Sequence, residues 1–105
     1  MKVVKKPIPV DAVKVVKENE DEIIQLLNEG VTDYEPITQG DEIVGFHIHS
    51  WEGVDPVYYD VDKNKNGNGK PYWIIKGLKN ETYPCVADDN EDAPLGYEVY
   101  KAVKA

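Results

Sequence analysis

Apolar and polar positions alternate in short runs along most of this chain, and one segment alone carries a helical period. Residues 8–16 alternate as a strand, with Ile8, Val10 and Ala12 on one side and Asp11 and Val13 on the other. Pro7 and Pro9 remove backbone donors at its start, which predicts a sheet edge. The helical segment follows. Asn19 is placed to cap it, Glu22 stands three residues on as in a capping box, and Glu20 and Asp21 suit the positive end of the helix dipole. Ile23, Ile24, Leu26 and Leu27 form one apolar stripe, Gly30 ends the run, and the helix is expected to lie across a sheet.

Beyond it, residues 34–40 read as a loop, residues 42–51 as a strand and residues 57–61 as another, joined near Glu52 and Gly53. Residues 62–70 form a polar loop of Asp, Asn, Lys and Gly. Trp73 and Ile75 then share one face of a strand, with Ile74 and Lys76 on the other. Gly77 supplies backbone freedom, Lys79 and Asn80 make the turn, and a returning strand contains Tyr83, Pro84 and Cys85, with Pro84 pointing to a sheet edge or strand end. An acidic loop at residues 88–92 and a last strand at residues 97–103 complete the pattern. One helix with five to seven short strands, mostly linked as hairpins, predicts an α+β domain: a curved antiparallel sheet or small open barrel with one packed helix. At 105 residues and 41% hydrophobic content, residues 1–105 support a single domain with one core.

Composition narrows the partners. The formal net charge of −8 argues against a nucleic-acid phosphate backbone as a direct partner. No segment approaches the roughly 20 apolar residues needed to cross a bilayer, and the start lacks the apolar run of a signal peptide. Cys85 is the one cysteine, so no internal disulfide forms; the cytoplasm of a bacterial cell is the expected compartment.

The hairpin and the N-terminus together carry a resemblance. Lys5, Lys6, Pro7, Val10 and Ala12 come first, then Glu52 and Gly53, then Trp73, Ile74, Ile75, Lys76 and Gly77. Glu81, Tyr83, Pro84 and Cys85 follow, with Tyr97 and Glu98 near the end. In this order they resemble a family of small proteins from tailed bacteriophages and prophages. Lys70, Pro71 and Tyr72 replace that family's Pro-Gly-Asp turn, and the loops at residues 62–70 and 86–95 are longer. The family has no established activity, so the resemblance implies origin and architecture rather than mechanism.

Candidate chemistry is sparse. His47 and His49 point to one face of their strand together with Trp51, while Phe46 and Ile48 point to the other. Two imidazoles so spaced are candidate metal ligands of a cupin-like kind, with Glu52 or Asp60 as the third, but the Glu and Gly that follow in cupins are not reproduced, and the pattern is read as a solvent-facing pair beside a half-buried tryptophan. Asp62, Asn64 and Asn66, with Gly67 next, reproduce the start of a calcium loop. The position of the bidentate glutamate is Trp73, and Lys63, Lys65 and Lys70 repel a cation, so a flexible hairpin loop is expected instead. Cys85 would need an approaching His47 or His49 to act as a nucleophile and reads as a small buried hydrophobe. No enzyme and no cofactor are expected.

The function expected is binding of a host or phage protein. Trp51, Tyr58, Tyr59 and Tyr72 are the candidate contacts, because exposed aromatics are enriched at interaction hot spots; the core is the competing use of each ring. Two alternatives remain. An acidic DNA mimic needs its carboxylates in a row on one face. A small-ligand sponge needs a concave pocket with aromatic walls and cationic contacts, with Lys5, Lys6 and Lys76 as the nearest cations. An edge strand at residues 7–16 or 97–103 is suited to pairing across a two-fold axis, which leaves a homodimer open.

Overall fold

In a computed structural model the chain is described for residues 1–2, 9–51 and 53–97. The α+β expectation holds: one α-helix and six strands among the described residues, every strand pairing antiparallel. The strands divide into two three-stranded sheets rather than one continuous sheet. The first sheet orders β1 (Asp11–Lys14), β5 (Tyr72–Lys76) and β6 (Thr82–Val86), with β5 in the middle. The second orders β2 (Tyr34–Gln39), β3 (Glu42–Ser50) and β4 (Gly53–Tyr58), with β3 in the middle. The two sheets adjoin along β3 and β6.

The helix α1 (Glu20–Glu29) forms because Ile23, Leu26 and Leu27 give it one face that can be buried against β1 and β5. Ile23 and Leu27 are 0% and 1% exposed, and burial of this completeness contributes about 2 kcal/mol for each. They join Val13 and Val15 from the first sheet's side, Ile74 from β5, and Phe46, Ile48 and Val57 from the second sheet in one core. Phe46 carries ring contacts on two sides, from Tyr34 at 6.3 Å and from Tyr59 edge-on at 6.1 Å. Ile75, on the opposite face of β5 from Ile74, is also fully buried, so this central strand is covered on both faces.

Several local expectations need correction. Asn19 does not cap the helix: a 3-10 turn at Lys17–Asn19 precedes it, and the Asn19 amide turns back to donate to the Lys14 carbonyl at 3.1 Å. The capping box with Glu22 therefore does not form, and Glu20 is held by Lys17 instead, at 3.0 Å. Residues 34–39 are a strand rather than a loop. The fourth strand runs over Gly53–Tyr58 rather than residues 57–61. In the β5–β6 turn the left-handed residue is Asn80, at φ 63°, not Gly77. Pro84 sits inside β6, opposite Ile74, on a strand that is the sheet's edge among the described residues. The expected last strand at residues 97–103 lies, apart from Tyr97, outside the described residues, as do Lys5, Lys6 and Pro7.

Candidate binding surface

The β3–β4 hairpin brings a large aromatic to an exposed tip. His49 pairs with Val54 and Ser50 with Gly53, so the strands end at Trp51, which is 88% exposed. Val54 beside the turn is 54% exposed. Asp55 stands opposite Ile48 and shares the side of β4 that carries Val57, which places its carboxylate at the open end of the core-facing side. There β6 comes alongside. Ser50, Trp51, Asp55, Tyr83 and Pro84 line a groove of about 240 Å³ between the hairpin of one sheet and the edge strand of the other. Tyr83 is fixed by a 2.8 Å hydrogen bond between its hydroxyl and that of Tyr97. Burial, reinforced by that bond, raises the Tyr83 phenol well above its ordinary value, so it stays neutral.

A second concavity, of about 300 Å³, opens where residues 60–70 fold back on the sheets. Tyr58 and Tyr72 line it, Lys63, Lys65 and Asn66 contribute polar groups, and Pro56 completes the wall. Its loop is held in place. Asn64 is 2% exposed; its amide oxygen accepts from the Tyr58 N–H at 3.0 Å, and its amide nitrogen donates to the carbonyls of Tyr58 and Lys70 at 3.2 and 3.1 Å. The Asn64 carbonyl also accepts from Gly67 and Gly69. Gly67 presses so closely on the Tyr72 ring that an added Cβ would lie 3.1 Å from it. The flexible loop of the sequence reading is thus a braced one. With the Asn64 oxygen committed inward, residues 62, 64 and 66 do not converge as a calcium loop requires.

The other singled-out residues lie elsewhere. Tyr59 belongs to the core: its hydroxyl donates to Glu20 Oε1 at 2.8 Å, and burial with that contact raises its ionisation well above the ordinary phenol value. Tyr72 also packs on the core, and burial raises it, with the Asp55 charge the next cause. His47 and His49 do share the face opposite Phe46 and Ile48, as their spacing predicts. His49 Nε2 lies 3.6 Å from Glu35 Oε1 on the neighbouring strand. Among the described residues no three His, Cys, Asp or Glu side chains gather as a metal site, and Glu52 lies outside them. Cys85 Sγ is 3.6 Å from the carbonyls of Val86 and Leu95, and burial pushes the thiol up, away from the thiolate a nucleophile needs. Lys76, expected as a cationic contact, is instead committed to Glu29 at 3.0 Å and Asp11 at 3.6 Å.

No family model, curated protein or solved structure matches this chain. The surface has to be read from its own chemistry. Asp55, Tyr83 and Pro84 were not singled out from sequence as contacts, because Tyr83 and Pro84 read as hairpin interior. Lys63 and Lys65 entered the sequence analysis only as charges that repel a cation from the loop at residues 62–70. The available signal for Asp55 was its parity with Val57, which sets it on the inner side of β4.

Proposed function

We propose that the protein is a non-enzymatic accessory protein of a tailed phage or prophage. It works in the cytoplasm of the bacterial host by binding a host or phage protein through the tip of the β3–β4 hairpin and the adjoining groove. The observation that carries this reading is Trp51, an indole left 88% exposed, where the next most exposed aromatic among the described residues, Tyr97, is 40% exposed. Tryptophan at such a position is the residue type most enriched among binding hot spots, where truncation costs about 2 kcal/mol or more. The reading takes the two sheets, adjoining along β3 and β6, as one bent open wall around the core, with the groove at its open end.

The test is capture from a host lysate on immobilised protein, run beside Trp51→Ala. The expected result is a protein retained by the parent and lost from the variant, whose urea midpoint stays unchanged because the ring supports no core contact. Equal retention by both would remove the hairpin tip from consideration.

A second reading, sequestration of a small ligand, is favoured by the Tyr58–Tyr72 concavity, where Lys63 Nζ lies 5.9 Å from the Tyr58 ring centroid. The DNA-mimic alternative has less support. The carboxylates lie on separate elements, and Glu20, Glu29, Asp11 and Asp89 each face a lysine.

A further inference from the structure

We infer that the groove beside Trp51 is built to hold a cationic side chain, an arginine or lysine of a basic segment in the partner protein. This rests on the reading of the hairpin tip as the partner surface and specifies the chemistry it recognises. The groove is lined by Ser50, Trp51, Tyr83, Pro84 and one acidic residue, Asp55. Indole is the best π-face for a cation, and a carboxylate at the same place supplies the counter-charge. Its volume of about 240 Å³ lies below the roughly 300–1,000 Å³ of clefts for drug-sized ligands. One long side chain fits that space better than a cofactor does.

Other occupants fare worse. An apolar side chain would bury the Asp55 carboxylate without a partner, which disfavours it. An anion would meet the same carboxylate and a chain of net charge −8. The chain has no arginine, and among the described lysines Lys17, Lys70 and Lys76 already face Glu20, Asp89 and Glu29. Lys63 lies over the Tyr58 ring. No described lysine pairs with Asp55. The acidic surface draws a basic partner in, and the groove then fixes its register. Arginine should bind better than lysine, since its flat guanidinium stacks on indole and meets a carboxylate through two parallel bonds.

The probe is an arginine–glycine repeat peptide, capped at both ends and titrated while indole emission is read, with the same peptide carrying norleucine for arginine as reference. Trp51→Phe identifies the part of the signal that belongs to the groove. Asp55→Asn is expected to weaken binding about tenfold or more. Glu35→Gln removes the same charge from the outer face of β2 and is expected to change it less than about twofold. The lysine peptide should bind more weakly than the arginine one, and the norleucine peptide not at all. Equal losses in the Asp55 and Glu35 variants would overturn the inference, reducing it to general attraction by an acidic surface. Binding of norleucine and arginine peptides alike would overturn it too. Tighter binding of spermidine than of the peptide would remove the protein segment as occupant. Failure here is separable from failure of the function proposed above. Lysate capture that needs Trp51 but ignores Asp55→Asn would sink the cation alone. Peptide binding that needs Asp55, with lysate capture indifferent to Trp51, would sink the partner reading and leave the groove's chemistry standing.

Discussion

At the scale of single residues, Thr82 shows how a position can be right in pattern and imperfect in chemistry. It opens β6, is 1% exposed, and its N–H donates to Thr32 Oγ1 at 2.8 Å. Its own Oγ1 is buried and finds no hydrogen-bond partner among the described residues. A buried hydroxyl left unpaired costs about 1–3 kcal/mol. Valine keeps the shape and the backbone donor while removing that cost. Thr82→Val should therefore stabilise the protein by about 1 kcal/mol, read as a higher urea midpoint at unchanged slope. A lower midpoint would mean that the hydroxyl is satisfied by water. The four aromatic candidates make a related point about what a sequence conveys. Alternation assigned a strand face to Trp51 alone among them; in the structure Tyr59 and Tyr72 joined the core, Tyr58 stayed half-buried and Trp51 stayed out. Which face is covered depends on the other sheet, and no local pattern carries that.

At the scale of elements, legibility follows how much of the element is buried. Helix α1 was readable because Ile23, Leu26 and Leu27 are buried at the helical period, and the β5–β6 hairpin because Ile74 and Ile75, buried on opposite faces of β5, form a short aliphatic run that ends at a turn. Strand β2 was not. Only Tyr34 and Ile37 are half-buried in it, Pro36 interrupts it, and a bulge after Ile37 shifts its register against β3. Its pairing is supplied by β3, so its own sequence shows little. The loop at residues 60–70 hid its order for another reason: its order comes from one side chain. Asn64→Ala removes three hydrogen bonds at once and leaves the Tyr58 N–H and the Tyr58 and Lys70 carbonyls without their partner. The expected loss is about 2–4 kcal/mol in urea unfolding, against less than about 0.5 kcal/mol for the exposed neighbour in Asn66→Ala. Equal effects of the two variants would mean that Asn64 braces nothing. Asn64→Asp should be nearly as damaging at neutral pH, since the new carboxylate faces two carbonyl oxygens, and should recover part of the loss once it is protonated and can donate again.

At the scale of the whole molecule, hairpin counting reached the antiparallel α+β class but missed the division into two sheets, which adjoin along β3 and β6. Helix and first sheet are tied together by Lys76 on β5, which reaches Glu29 at the helix end and Asp11 on β1. That tie has a pH signature. Lys76 holds Glu29 below its ordinary 4.5, and Glu29 in turn lifts Lys76 above its ordinary 10.5. A depressed carboxylate gives stability that is complete above 4.5 and is lost as pH falls through its lower folded value. A raised ammonium gives stability that is complete below 10.5 and is lost as pH rises through its higher folded value. The tie is therefore whole between those limits and fades outside them. Acidification also relieves the self-repulsion of a chain at −8, which works in the opposite direction and would mask the loss in the parent protein alone. A charge-matched comparison separates the two. Lys76→Met and Lys79→Met change the net charge equally, and Lys79 is exposed, with no ion pair among the described residues. Urea unfolding across the pH range should place Lys76→Met below Lys79→Met from about pH 5 to 9, with the gap closing as pH falls below 4.5 and through the lower folded value at which Glu29 protonates. A gap of constant size down through the carboxylate range would assign the Lys76 effect to packing of its aliphatic stem rather than to its charge.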